Sequence, residues 1–309
     1  MPRKLTLENL RAEQAGAAKQ LALAQQYNDY VGLLQLEQRL EEISSEIEAI
    51  SAQESQLASV ALYFSGRPVF GTRGIASDFA GRSLENFQSL VSKTFAKREL
   101  GSLGERGRVP LRSNTNLMVT AVTHGSFGFV LEELSDQTEM HDTALKSVVS
   151  EVDEILNGFG SSDENDFDRV AESIDSRILI SLRDFFRDMD SSGATVRIVE
   201  DDRELNLDEA AVHRARLRAD ASEVEEDSIN IEGIILGFLP EHRRFEIQDQ
   251  KLGSIYGSAS VEATEQYQRA AQIGLPANSP CKGLVQVRTV RPFNREPKVT
   301  YRLLEFTDL

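Results

Sequence analysis

The stretch Ile229–Val261, INIEGIILGFLPEHRRFEIQDQKLGSIYGSASV, decides how the C-terminal part of the chain folds. Ile229 to Leu239 reads as a strand, and Pro240-Glu241-His242-Arg243 as a turn into a second strand, Arg244 to Gln248. Ser254 to Val261 is a third. A helix is expected over Ala263 to Ala271 and a Pro/Gly/Asn loop over Gly274 to Pro280, before two more strands, Gly283 to Val290 and Val299 to Phe306. Five strands with one inserted helix predict a small closed or partly closed barrel of the oligonucleotide/oligosaccharide-binding or SH3-like kind.

Upstream, the acidic run Glu223 to Asp227 reads as a linker, so the barrel is placed at 226–309. Residues 136–225 are expected to be mainly helical with one strand. One helix carries Leu145, Val148, Val149, Val152 and Ile155 and stops at Gly158. A second opens at a capping box, Ser161 with Glu164, and turns Phe167, Val170 and Ile174 inward. A third is capped by Asp175 and closed by Gly193. A strand, Ala194 to Val199, and a short helix near Asp208 to Arg218 follow. Residues 58–135 read as a small α+β domain: a strand Val60 to Phe64, a helix capped by Ser77 with Leu84, Phe87, Leu90, Val91 and Phe95 on its apolar face, and a hairpin. The hairpin joins Leu117–Val122 to Phe127–Leu131 through His124-Gly125-Ser126.

Residues 1–57 hold two helices that break near Tyr27-Asn28-Asp29-Tyr30. Leu7, Leu10, Gln14, Ala17, Leu21 and Ala24 recur in steps of three and four in the first. Leu33, Leu36, Leu40, Ile43, Ile47 and Ile50 do so in the second, with Glu41, Glu42, Glu46 and Glu48 on its other faces. A narrow apolar stripe on a polar helix needs a partner helix. It finds one in an antiparallel hairpin within the chain or in a coiled coil between subunits. The expected class is therefore α+β: an N-terminal helical pair, a central α+β body and a C-terminal small β-barrel.

Composition sets outer limits. The 309 residues are 40% hydrophobic and 27% charged, as in globular proteins. They carry 50 acidic against 34 basic side chains, a formal net charge of -16, which repels DNA and anionic membranes unless basic residues gather locally. The first residues run into charged helical sequence without a secretory pattern. The longest apolar stretch, Gly233 to Leu239, is too short to span a bilayer. A single cysteine, Cys281, forms no internal disulfide, which points to a reducing, cytoplasmic setting.

No catalytic, cofactor-binding or metal-binding constellation emerges. Asp188-Met189-Asp190-Ser191-Ser192-Gly193 resembles the opening of a calcium loop, but Val199 stands at the twelfth position, where a bidentate carboxylate is needed. Gly66, Gly71 and Gly74, near Arg67 and Arg73, suit tight turns and lack a phosphate-loop spacing. His124 and Ser126 share a turn that does not aim one at the other. His141, His213 and His242 each stand alone, and Cys281 sits in an expected loop beside Lys282. Glu296-Pro297-Lys298 has the letters of a nuclease motif, with a proline that a central strand disfavours.

Charge is segregated instead. From Arg67 to Arg112 nine basic residues face four acidic ones, and from Lys282 to Arg302 six face only Glu296, whereas Glu200 to Glu232 holds twelve carboxylates and four arginines. The basic residues that could meet a phosphate or a protein partner are Lys97, Arg98, Arg106, Arg108, Arg112, Arg288, Arg291, Arg295 and Lys298. Tyr301, Phe293 and Phe245 are placed to stack on bases. The overall negative charge favours protein docking over nucleic acid. The expectation is a non-catalytic, self-associating interaction subunit of a larger cytoplasmic assembly, with the stripe Leu33 to Ile50 as its oligomerisation surface. It has itself and other protein subunits as partners and no membrane. The alternative is a nucleic-acid-binding module using the basic C-terminal strands and the 93–112 loop. An anti-phage or mobile-element role is compatible with such a subunit, although no residue argues for it.

Overall fold

The computed structural model describes residues 1–52, 55–101, 103, 107–123, 127–135, 141–274, 278–291 and 297–308. Among them are eight α-helices, an open five-stranded sheet and a closed five-stranded barrel. No helix of the described residues is long and apolar enough to cross a membrane.

The N-terminal segment is an antiparallel pair, α1 (Arg3–Tyr27) and α2 (Tyr30–Ala52). Asn28 adopts a left-handed conformation (φ 54°) that ends α1, and an Asp29 carboxylate oxygen accepts the Gly32 N–H at 3.0 Å to start α2. Both apolar stripes turn inward. Leu33, Leu36, Leu40, Ile47 and Ile50 are part-buried and Ile43 is fully buried, whereas Glu41, Glu42, Glu46 and Glu48 are exposed. Gln14 donates to Ser44 Oγ at 3.0 Å, and Arg39 reaches Glu13 at 2.6 Å, which fixes the register. At the base of the pair, Leu5 packs against Ala61, Tyr63, Val130 and Val199.

Those last residues lie on the body's sheet. Its strands are β1 (Ser59–Gly66), β4 (Met118–Thr123), β5 (Phe127–Glu132), β6 (Ala194–Glu200) and β7 (Arg203–Leu207), ordered β4-β5-β1-β6-β7 and antiparallel throughout. Two short strands, β2 (Val69–Phe70) and β3 (Gly74–Ile75), form a separate ribbon. Successive residues of a strand face opposite sides. Ala61 and Tyr63 therefore meet Leu5, while Val60, Leu62 and Phe64 enter the main core beneath the helices. That helical layer comprises α3 (Ser77–Leu100), α4 (Ala144–Gly160), α5 (Glu164–Ser173), α6 (Ser176–Ser192) and α7 (Glu209–Ala221). It contributes Phe87, Val148, Leu156, Phe167, Phe185 and Phe186, each at most 1% exposed.

Two local expectations are corrected here. Ser77 is the first residue of α3 and not its cap, which is Ala76 without a side-chain bond. In α5 the capping oxygen belongs to Asp163, which accepts Asn165 N–H at 2.9 Å, because Glu164 is drawn away to Arg218 at 2.5 Å. Asp175 and Gly193 do bound α6. The hairpin turn at residues 124–126 lies outside the described residues.

The barrel is built from β8 (Glu223–Leu239), β9 (Arg244–Asp249), β10 (Gly253–Ala259), α8 (Val261–Ile273), β11 (Pro280–Arg291) and β12 (Lys298–Asp308). It closes in the order β10-β12-β11-β8-β9. All pairings are antiparallel except β10 with β12, which run parallel over Gly257–Tyr301, Ser258–Arg302 and Ala259–Leu303. Alternate residues such as Ile235, Ile247, Ile255, Val285 and Leu303 fill the interior. Helix α8 covers one end, where Tyr267 stacks on Phe238 at 4.3 Å and meets Phe306 edge-on.

Glu223 to Asp227 is not a linker but the first part of β8, which starts one residue after Ser222 ends α7. The strand forms there because β11 runs opposite it in the ladder and Arg291 meets the Glu223 and Glu225 carboxylates. Arg183 of α6 secures the end of α7, donating to the Ala219 and Ser222 carbonyls at 3.1 and 3.0 Å, and Arg302 of β12 ties the barrel to the body by donating to the Gly101 carbonyl at 2.6 Å.

Candidate functional site

The basic residues singled out from sequence fall into three places. On β11, Arg291 lies 2.6 Å from Glu225 and 3.7 Å from Glu223, and Lys282 lies 2.6 Å from Glu232. The C-terminal positive run and the acidic run of 223–232 thus face each other across one strand pair. Lys298 begins β12. Arg295, Phe293 and Glu296 lie outside the described residues, as does Arg106. Arg108 and Arg112 are exposed on the segment after α3. Lys97 and Arg98 stand at the end of α3 and contribute to a cavity.

That cavity, about 550 Å³, opens between α3, α4, α5 and the start of β7. Lys97, Arg98, Lys146, Arg169 and Arg203 converge on it from those four elements. Asp142, Glu151 and Glu154 also line it. Asp142 lies 3.1 Å from Lys146 Nζ, and Glu154 lies 3.6 Å from Arg203. Ile155, Val170 and Ile174 give it one aliphatic wall. Close by, burial and the neighbouring Glu200 carboxylate push Asp153 up to about 7. Burial likewise raises Glu200, against the opposing hydrogen bond from the Ser150 hydroxyl.

A second concavity lies on the outside of the barrel. A shallow hollow of about 640 Å³ is lined by Gly237, Leu239, Arg244, Glu246, Tyr256 and neighbours on β8, β9 and β10. Tyr256 is 76% exposed there. The stacking residues expected from sequence are placed otherwise. Phe245 is buried because alternate residues of β9 point inward, and Tyr301 packs against the barrel core. Tyr256 went unnoticed because one tyrosine in a Gly/Ser-rich strand carries no pattern.

A third feature is the tip of the helical pair. Leu23, Tyr27, Tyr30, Val31 and Leu34 are exposed, Tyr27 and Tyr30 by 75% and 77%. Between residues 20 and 36 the only charged side chain is Asp29. The six stripe residues Leu33 to Ile50 face α1 of the same chain and so are distinct from this surface, apart from Leu33 at its margin.

The remaining candidates are structurally engaged. Asp188 lies 2.9 Å from Arg82, and Asp190 binds Arg216 at 2.6 Å and His213 at 3.3 Å, so the calcium-like carboxylates sit in ion pairs. Gly66 (φ 96°) abuts the Gly193 carbonyl, where a Cβ has no room. Cys281 is buried in β11, not in a loop, and burial pushes its thiol up to about 11. Comparison with protein-family models, with curated proteins and with solved structures finds no match.

Proposed function

We propose that the protein is a non-catalytic, self-associating interaction subunit of a larger cytoplasmic assembly, and that it meets its own copy through the tip of the α1–α2 pair. The observation that carries this reading is the cluster Leu23, Tyr27, Tyr30, Val31 and Leu34, large apolar side chains left in solvent. Two copies of a chain at -16 repel each other, and a shared surface poor in carboxylates lowers that cost. Residues 20–36, with one charge, meet that condition, and exposed apolar patches of this kind mark interaction sites. Sedimentation of the full-length chain is expected to give a multiple of 34.4 kDa, and the Tyr27→Glu, Tyr30→Glu, Leu34→Glu variant the monomer mass. A monomeric parent, or an unchanged variant, overturns the reading.

A second reading rests on the barrel. Its parallel third–fifth strand pairing and its helix between strands three and four support assignment to the oligonucleotide/oligosaccharide-binding type. Barrels of this type bind strands on the face of their second and third strands. On β9 and β10 that face carries Arg244, Tyr256 and the apolar groove. With one arginine against Glu246, stacking would dominate over charge. Fluorescence polarisation with single-stranded DNA is expected to show weak salt dependence and a loss on the order of tenfold for Tyr256→Ala. Equal binding by that variant removes the reading.

A further inference from the structure

We propose that the cavity between α3, α4, α5 and β7 is a binding site for a phosphorylated small molecule carrying an apolar ring, of the nucleoside di- or triphosphate class. This is independent of the self-association reading and of the barrel.

Three observations carry it. The cavity holds about 550 Å³, inside the range of small-molecule sites. Lys97, Arg98, Lys146, Arg169 and Arg203 converge from four separate elements. On a chain at -16, the charged lining is five cations against three carboxylates, Asp142, Glu151 and Glu154, a local excess of positive charge. Finally, the lining has two chemistries. Asp142 at 3.1 Å and the Ser55 carbonyl at 2.6 Å hold the Lys146 ammonium in place before any ligand arrives, while the exposed Arg203 lies 3.6 Å from Glu154. Ile155, Val170 and Ile174 supply a wall against which a planar base can lose water. A bare anion uses only the first of these, and an apolar molecule only the second. A phosphate ester on a ring uses both, with Ser147 in the lining to offer a hydroxyl donor.

The test is calorimetric titration of the full-length protein with ATP, GTP, ADP, inorganic tripolyphosphate and adenosine. It is repeated on Arg98→Ala/Arg169→Ala and on Arg269→Ala/Lys251→Ala. The first pair removes two cavity cations. The second removes the same charge from the barrel and serves as the control. Arg98, Arg169, Arg269 and Lys251 are all exposed, so both variants keep the fold. The expected result is saturable binding of at least one nucleotide, at least about tenfold tighter than tripolyphosphate or adenosine. The same affinity is expected in the control and about a tenfold loss in the cavity variant. No binding at millimolar nucleotide overturns the proposal. So does equal loss in both variants, which would mark a general charge effect. Tripolyphosphate binding as tightly as ATP overturns the assignment of the aliphatic wall and with it the ligand class.

Discussion

Arg291 Nη1 lies 2.6 Å from a Glu225 carboxylate oxygen across the β8–β11 pair, and this one contact joins the most basic and the most acidic runs of the chain. The Arg291 guanidinium, by hydrogen bond and charge, holds the Glu225 carboxyl below the usual range. Opposite charges across an antiparallel pair favour the register, and like charges oppose it. Arg291→Glu, which sets a carboxylate against Glu223 and Glu225, is expected to lower the barrel's melting temperature. The exchange Arg291→Glu with Glu225→Arg should recover much of it. Thermal melts of the two variants decide, and a double variant no better than the single one contradicts the pairing.

Asp153 gives a pH dependence of defined sign. Its folded value of about 7 lies above the roughly 3.9 of a free aspartate, so between those two pH values the folded state holds a proton that the unfolded state has released. Its contribution to stability is full below about pH 4 and is lost as pH rises through 7, at up to about 1.4 kcal/mol per pH unit. Glu200 acts in the same direction. Asp153→Asn is expected to flatten the profile from pH 5 to 8 and to be the more stable protein at pH 8, as read by urea midpoints. A parallel profile for the variant would show that Asp153 is not the titrating group.

Gly257 and Gly237 make opposite predictions within one barrel. A Cβ on Gly257 runs into the Tyr301 carbonyl at the parallel seam, whereas a Cβ on Gly237 meets no atom within 4 Å. Gly257→Ala is expected to cost about 3 kcal/mol or more and Gly237→Ala less than about 0.5 kcal/mol. Denaturant unfolding of the two variants measures the difference.

Cys281, fully buried with its thiol raised to about 11, is expected to resist thiol-reactive dyes at pH 8 in the native protein and to react at once in guanidinium. Native-state labelling within seconds would place it elsewhere.

Where one element carried its own pattern, the sequence was legible. The 3,4 spacing of Leu33 to Ile50, the helix end at Gly193 and the five strands with α8 between them needed only local periodicity and turn chemistry. What failed depended on partners distant in the chain. Glu223 to Asp227 looks solvated by composition and is a strand because β11 lies across from it, with Arg291 against Glu223 and Glu225. Strand β7, five residues with inward Leu205 and Leu207, is too short to show alternation and is held by β6. Ser161 and Glu164 match a capping box, yet Glu164 is claimed by Arg218 from α7. The cavity is the extreme case. Lys97 and Arg98 stood out within a basic run, whereas Lys146, Arg169 and Arg203 are isolated cations that only the packing of four elements brings together.

The direct passage from α7 into β8 has a mechanical meaning. No linker separates Ser222 from Glu223, and Arg302 of β12 is bonded to the Gly101 carbonyl at the end of α3, so barrel and body meet at two places. The helical pair, roughly 35 Å long at 1.5 Å per residue, is planted on the same sheet through Leu5. One plate carries both parts, since the sheet meets the helical pair at Leu5 and the end of α3 meets the barrel at Arg302.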